Sequence, residues 1–387
     1  MALVPQRAHG WADRPRLGIL GGGQLGRMFL GACHRFDVET WVLDPDPLCP
    51  AAQLASHYIQ GSFRDPGAVY RFGKGVDVLT VEIEHVATEA LVQLEAEGIA
   101  VRPGAEVVAS VQDKGIQKRL YTTHGIPTAP YRLVDDPTQL TAADLGTPKV
   151  LKLRRGGYDG QGVRLLRTEA DLAHVFQAPS VLEAAIDIAA EIAVLVARSA
   201  TGEVVAYPPV EMAFHPEAHL VELLFSPANL VPEMAQRCEA IAREVAEVLG
   251  VVGLLAVELF VTPRGDVLVN EIAPRPHNSG HHTLEAAYTP QFEQHLRAVL
   301  GLPLGDPGLK QPAAMVNLVG GPTASGDPAY PGLEAALRLP GVSVHLYGKR
   351  VVRPFRKMGH ITVVRPTVEA AVATARQVQQ LVQVTSR

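Results

Sequence analysis

Asn270-Glu271-Ile272-Ala273-Pro274-Arg275-Pro276-His277-Asn278-Ser279-Gly280-His281 closes an apolar run, Val267-Leu268-Val269, that reads as a β-strand. Upstream, Leu254-Leu255-Ala256-Val257 leads into Glu258, and Pro263-Arg264-Gly265-Asp266 supplies a turn between the two runs. A hairpin over 254–262 and 266–272 lets the carboxylates of Glu258 and Glu271 face each other from neighbouring strands. In such apolar surroundings a carboxylate is costly unless its charge is compensated. Two compensations are open. One is a hard cation such as Mg²⁺, which takes oxygen ligands and keeps substrate phosphates in its shell. The other is an arginine such as Arg275. The Arg, His and Asn side chains beyond Glu271 then face whatever a cation would hold, which points to an enzyme that uses ATP. His277, His281 and His282 lack H-E-x-x-H spacing and have no cysteine beside them, so a zinc site is not expected.

Outward from this corner, the next informative segment is Lys152-Leu153-Arg154-Arg155-Gly156-Gly157-Tyr158-Asp159-Gly160-Gln161-Gly162. Lys152 ends a strand, and the loop after it mixes glycines with two arginines. Backbone amides of such a loop can wrap phosphates while the cations neutralise them. It is not a Walker A loop, because no G-K-[ST] follows. A glycine-rich hairpin of purely structural purpose is the alternative.

Gly21-Gly22-Gly23-Gln24-Leu25-Gly26 follows a first strand and opens a helix, and Asp44 ends the next strand. That context suits a dinucleotide, a different nucleotide's phosphate, or simply tight strand–helix packing. Thr80-Val81-Glu82-Ile83-Glu84 places two carboxylates at spacing two, on one face if the strand runs through them. Lys349, Arg350, Arg353, Arg356 and Lys357 form a basic cluster, read either as a phosphate clamp or as a solvated turn.

The chain of 387 residues is long enough for two or three domains. Its hydrophobic content is 47%, its charged content 19% and its net charge −5, which fits a globular protein without a nucleic-acid footprint. No apolar run reaches the roughly 20 residues of a membrane span. The first fifteen residues lack the apolar stretch of a signal peptide and read as a flexible extension. Cys33, Cys49 and Cys238 form no metal or disulfide pattern, as expected of a cytoplasmic protein.

Residues 16–110 alternate strands (17–20, 40–43, 76–81, 99–101) with helices (24–36, 87–97), the pattern of a parallel sheet. From 111 to 305 the texture becomes α+β. Helices are expected at 113–124 and 232–249, with strands at 149–153, 162–166, 192–197, 254–262 and 266–272. Residues 301–312 read as a linker. The part from 306 to 387 is expected to hold strands at 314–319, 343–347 and 360–364 and a helix at 367–384.

In this order the motifs at 21–28, 154–162, 270–281 and 353–360 resemble the ATP-grasp superfamily, and within it the N5-carboxyaminoimidazole ribonucleotide synthetases of purine biosynthesis. The resemblance covers about residues 16–365. It implies an ATP-grasp fold behind a Rossmann-like N-terminal domain, with a small C-terminal domain. It further implies that Lys114 and Lys152 contact nucleotide phosphates and that Gly157, Tyr158, Asp159, Gly160 and Gln161 form the phosphate loop. Glu183, Ala184, Ala185 and Ile186 would lie at the adenine edge, Glu191 at the ribose and His215 near the nucleotide. Glu258, Glu271 and Asn270 would hold Mg²⁺, with Mn²⁺ as a substitute. Tyr158, Asp159, Arg275, His277 and Lys357 would surround the reacting groups. Gln24, Glu82, Asn278, Ser279, Lys349, Arg356 and Lys357 would bind 5-aminoimidazole ribonucleotide.

The implied reaction carboxylates that ribonucleotide with bicarbonate and ATP through carboxyphosphate, in a homodimer. A formate-dependent glycinamide ribonucleotide transformylase shares the fold. An NAD-dependent oxidoreductase would explain the glycine turn and Asp44 but leave the 152–162 loop and the glutamate pair without a role. A non-catalytic nucleotide-binding module is a further alternative, against which both carboxylates and both lysines argue.

Overall fold

The computed structural model describes residues 15–157, 162–214 and 221–387. The N-terminal segment runs β1 (Arg16–Leu20), α1 (Gln24–Arg35), β2 (Glu39–Asp44), β3 (His57–Gln60), α2 (Pro66–Gly73), β4 (Val78–Val81), α3 (Thr88–Ala96) and β5 (Ala100–Val101). The strands form one parallel sheet in the order β3-β2-β1-β4-β5. Chain order reverses beside β1, so a crevice opens at the carboxyl ends of β1 and β4, where ligands bind in such sheets. β4 stops at Val81, short of the expected pair of strand glutamates. Glu82 instead leaves the sheet and accepts the Leu25 amide at 3.1 Å, in the first turn of α1, where four helix amides lack intrahelical partners.

Two short helices follow, α4 (Ala105–Val111) and α5 (Lys114–Thr123). Asp113 caps α5 by accepting the amides of Gly115 (2.8 Å) and Ile116 (3.3 Å), and it also receives two bonds from Arg154 at 2.9 Å. One carboxylate thus fixes both the helix start and the end of a distant strand. That strand belongs to a four-stranded antiparallel sheet, β6-β9-β7-β8. It is built from β6 (Tyr131–Val134), β7 (Lys149–Leu153), β8 (Val163–Leu166) and β9 (Ser180–Ala184), with α6 (Ala142–Leu145) between β6 and β7.

Among the described residues, nine further strands form an antiparallel sheet. Its members are β10 (Ala190–Arg198), β11 (Val204–Ala206), β12 (Val210–Phe214), β13 (Val221–Ser226), β14 (Gly253–Val261) and β15 (Val267–Ala273). β16 (Ala313–Val319), β18 (Val342–Leu346) and β19 (Lys357–Val364) extend it, in the order β15-β14-β10-β12-β13-β16-β19-β18 with β11 beside β10. α7 (Pro232–Leu249) covers this sheet with Cys238, Ile241, Ala242, Val245 and Ala246, and ends at Gly250 with φ 66°, the left-handed cap glycine tolerates best. Val248 and Leu249 at its end are only partly covered. α9 (Gln291–Leu300) packs against β14 and β10 and also contacts α1, while α8 (Thr283–Ala286) lies against α9 and β19. α11 (Val368–Leu381) buries Ala371, Ala375 and Val378 against β16 and β19. A small pair, β17 (Pro328–Ala329) and β20 (Thr385–Ser386), and α10 (Leu333–Leu337) complete the described chain.

Residues 301–312, expected as a linker, connect α9 to β16 without a helix or strand of their own. The Gln294 carboxamide clasps Gly305, accepting its amide and donating to its carbonyl at 2.7 Å each. The amides of Tyr288 and Thr289 donate to Gly308 and Asp306. β16 then enters the same sheet as β14, so the segment is strapped to its neighbours despite its glycines and prolines.

Candidate functional site

Glu258 and Glu271 are direct register partners on β14 and β15. The register shifts by one immediately beside them, because Leu259 pairs with Val269 and leaves Asn270 as the extra residue of a β-bulge. Adjacent strand residues ordinarily point to opposite faces; a bulge re-aims them. Asn270 and Glu271 therefore both reach cations in one cleft. Lys152 donates to Asn270 Oδ1 at 2.7 Å, and Lys114 to Glu271 Oε1 at 2.6 Å. Glu191 on β10 sits opposite Phe260 while Ala193 sits opposite Glu258, so Glu191 shares the face of Glu258.

Three carboxylates on one face repel each other. Burial and then the charges of Glu271 and Glu191 push Glu258 up to about 7, and burial pushes Glu191 up to about 7 as well. Burial acts on Glu271 in the same sense, but Lys114 outweighs it and holds this carboxylate below its usual range. Glu271 keeps 46% of its side-chain surface open to the cleft, so water screens much of this field until a ligand fills the space. Among the described residues no three His, Cys, Asp or Glu side chains converge to hold a metal by themselves. Two carboxylates and an amide oxygen, short of positive charge, fit a hard divalent cation that draws its other ligands from substrate phosphates.

Glu183 is the residue that the resemblance puts at the adenine edge. Its carboxylate is buried between Lys118 and Lys152, each at 3.0 Å. Burial raises its pKa, and the two lysines more than reverse that. One negative charge serves two cations, so the more deeply buried lysine yields: desolvation takes Lys118 down to about 8. Lys118 also donates to Thr128, whose hydroxyl bonds Val269 O at the base of the bulge. The amides of Ala184 and Ala185 are used by Pro130 and Pro148, and Ile186 is half-buried beside them.

On the opposite side of the glutamate pair, His277 Nε2 stands 3.7 Å from Glu258. The His277 Nδ1 accepts the Ser279 amide at 3.3 Å and lies 2.9 Å from its hydroxyl, which leaves the ring proton on Nε2, toward Glu258. Arg275 pairs with Glu84 at 2.8 Å, joining the N-terminal sheet to this corner. Asn278 and Ser279 are buried. The Asn278 carboxamide exchanges two 2.9 Å bonds with Asn317, so both residues brace the site from within. Lys349 binds Gln24 at 2.7 Å and the Lys357 carbonyl at 2.6 Å, which brings Gln24, Lys349 and Lys357 together. Arg356 donates to Val351 O at the rim. Gly157 is half-buried at the mouth of its loop; Tyr158, Asp159, Gly160, Gln161 and His215 lie outside the described residues.

The glycine turn is filled by the protein itself. A Cβ at Gly22 would come within 2.4 Å of Cys49 Sγ, and one at Gly23 within 2.5 Å of Glu82 Oε1. Asp44, which a dinucleotide ribose would need, accepts the Gly22 amide at 2.7 Å and the Asp46 amide at 2.8 Å. The packing reading of the turn accounts for these contacts, and the Asp44 carboxylate is already engaged within the protein. Lys118, Asn317 and the Glu84–Arg275 pair escaped the sequence reading. Lys118 carried one usable signal, its four-residue offset from Lys114, which places both on one helix face.

Residues 15–112 match the ribonucleotide synthetase preATP-grasp domain, 119–292 the ATP-grasp domain, and 313–374 the phosphoribosylaminoimidazole carboxylase C-terminal domain. A crystal structure of N5-carboxyaminoimidazole ribonucleotide synthetase from Thermotoga maritima superposes with a TM-score of 0.90 at 40% identity, over 96% of this chain and 100% of that one. The chain belongs to the N5-carboxyaminoimidazole ribonucleotide synthetase family. The family's Aspergillus clavatus member, solved with ADP and 5-aminoimidazole ribonucleotide, matches at 33% identity with a TM-score of 0.87, over 96% of this chain and 99% of that one. The chloroplastic phosphoribosylaminoimidazole carboxylase of Vigna aconitifolia is 40% identical over 90% of this chain, which spans 64% of that longer protein. The synthetase fold thus accounts for the parallel N-terminal sheet, the cleft between the two antiparallel sheets and the strands that extend the larger one.

Proposed function

We propose that the chain carboxylates 5-aminoimidazole ribonucleotide on its exocyclic amine, using bicarbonate and converting ATP to ADP and phosphate. The observation that carries this reading is the register pair Glu258–Glu271, with Lys114 and Lys152 on one side and His277 and Arg275 on the other. A nucleotide between the two antiparallel sheets would take its phosphates to Lys114 and Lys152 and to the amides around Gly157. Phosphoryl transfer needs positioning and charge neutralisation more than covalent help, and this chain offers both. Glu258, Glu271 and Asn270 would hold Mg²⁺, or Mn²⁺, whose chemistry is to neutralise charge on the phosphate oxygens.

Bicarbonate placed against the γ-phosphate by Arg275 and His277 attacks phosphorus and displaces ADP, giving carboxyphosphate. The amine then bonds the carboxyl carbon, the carbon–oxygen bond to the phosphoryl group breaks, and phosphate leaves with the proton that the amine gives up. Gln24, Lys349, Lys357 and Arg356 surround the space expected for the ribonucleotide and its phosphate. Glu82, which caps α1, adds negative charge at its edge. Asp159 and Tyr158, in the glycine-rich loop, are candidates to orient the amine and exclude water from the labile intermediate. Residues 16–110, 111–305 and 306–387 are the working parts of this unit, which we assign to the cytoplasm as a homodimer. The three cysteines are free and buried, in keeping with a reducing compartment.

Bicarbonate labelled with ¹⁸O tests the sequence of bonds. Attack on the γ-phosphate transfers one ¹⁸O into the phosphate released. Phosphate free of label, formed together with carboxylated product, would contradict the route.

A further inference from the structure

We propose that Gln291 is a positioning residue of this active site, a two-point clasp that holds His277 against Glu258. The inference rests on the function proposed above. Gln291 is the first residue of α9 and is fully buried. Its Oε1 accepts the His277 amide at 2.9 Å, and its Nε2 donates to the His277 carbonyl at 2.9 Å. Those two bonds treat His277 as a strand treats its neighbour, although no strand runs there: β15 has ended at Ala273 and a single 3-10 turn begins at Asn278.

The second Nε2 hydrogen goes to His281 Nδ1 at 3.0 Å. Every donor and acceptor site needed to fix the carboxamide's orientation is therefore used. The Gln291 amide donates to Thr283 Oγ1 at 3.0 Å, and that hydroxyl donates to Gly280 O at 2.6 Å. Position 280 has to be glycine for the same reason, since a Cβ there would lie 2.5 Å from Gln291 Oε1.

The clasp has a direction. It grips the one residue of the 274–281 segment whose ring faces Glu258, at 3.7 Å, and Glu258 is the register partner of Glu271. A buried carboxamide placed only for folding has no reason to bond both sides of that particular peptide unit. With the clasp removed, the His277 main chain moves while β14 and β15 stay in place. A displacement of about 1 Å at a reacting centre lowers turnover by roughly a hundredfold.

The test compares Gln291→Met, which keeps length but loses all three bonds, with Val299→Ala. Val299 is equally buried on the same helix, in the core that α9 shares with α1. Ribonucleotide-dependent ADP formation and the ring ¹⁵N spectrum of histidine-labelled protein are read for both. Expected for Gln291→Met is a kcat lower by roughly a hundredfold, an ATP KM within about twofold of the parent, and a displaced His277 signal. Val299→Ala should lower the melting temperature while kcat and the His277 signal hold. If Gln291→Met does not fold, Gln291→Glu retains the bond to the His277 amide and loses the one to its carbonyl, and kcat should fall about tenfold. An unchanged kcat and His277 signal in the folded Gln291 variant, or equal losses in Val299→Ala, overturns the proposal. A parent protein without ribonucleotide-dependent activity overturns the functional reading instead, and the His277 signal still decides the clasp.

Discussion

Glu258 and Glu271 are opposed across β14 and β15, with the bulged Asn270 beside them. Burial and then the charge of Glu271 raise the pKa of Glu258, so the two carboxylates are costly side by side without a cation. Glu271→Gln should therefore lower kcat/KM by at least about a thousandfold, about 4 kcal/mol of transition-state stabilisation. The melting temperature of the metal-free protein should change little or fall slightly, because relief of the repulsion on Glu258 is offset by loss of the Lys114 ion pair. Steady-state kinetics and thermal melts of the two proteins check both halves.

Glu183 between Lys118 and Lys152 gives a stability prediction with an asymmetry. Glu183→Gln leaves two buried ammonium groups without a counter-charge and should cost about 3–5 kcal/mol. Lys118→Met leaves a neutral pair, Glu183 with Lys152, and should cost much less. Urea unfolding of the three proteins at neutral pH measures the difference.

The same carboxylate sets a pH dependence. Its folded pKa lies below the unfolded value of 4.5 because Lys152 and Lys118 overcome its burial. The folded state then binds fewer protons than the unfolded one. The stabilisation is complete above pH 4.5 and is lost as pH falls through the folded value. The gap in stability between the parent and Glu183→Gln should be constant from pH 7 to 5 and narrow below 4.5.

Gly22→Ala drives a methyl group toward Cys49 Sγ, 2.4 Å away, and toward the Asp44 side chain. It should destabilise the N-terminal sheet by about 1–3 kcal/mol. NADH should neither bind nor protect the protein, since Asp44 is engaged by Gly22 and Asp46. Thermal melts with and without NADH test this.

Much of the architecture was legible in the sequence because its signals are local. The strand–turn–helix at 16–35, the amphipathic α7 and the β14–β15 hairpin all follow from periodicity and turn residues. β3 was missed because His57-Tyr-Ile-Gln is a short edge strand without alternation, and β9 because a five-residue strand between loops has too little pattern to read. The glutamate pair was legible as well, but the bulge that turns Asn270 to the same side is a register property with no sequence mark. Glu183 was read as a nucleotide contact from its place in a motif. Its two lysines, Lys118 and Lys152, come from separate elements, and only the tertiary fold brings them to one carboxylate. The linker at 301–312 was legible from its glycines and prolines, but the clasp of Gln294 on Gly305 depends on tertiary contact and left no local mark.

If nucleotide cleavage between these sheets serves carboxylation of 5-aminoimidazole ribonucleotide, that ribonucleotide must govern the release of ADP. ADP formation from Mg-ATP and bicarbonate, measured with and without it, should depend strongly on the ribonucleotide and give one carboxylated product for each ADP. No stimulation by it, with stimulation by glycinamide ribonucleotide plus formate, would rule the carboxylation out.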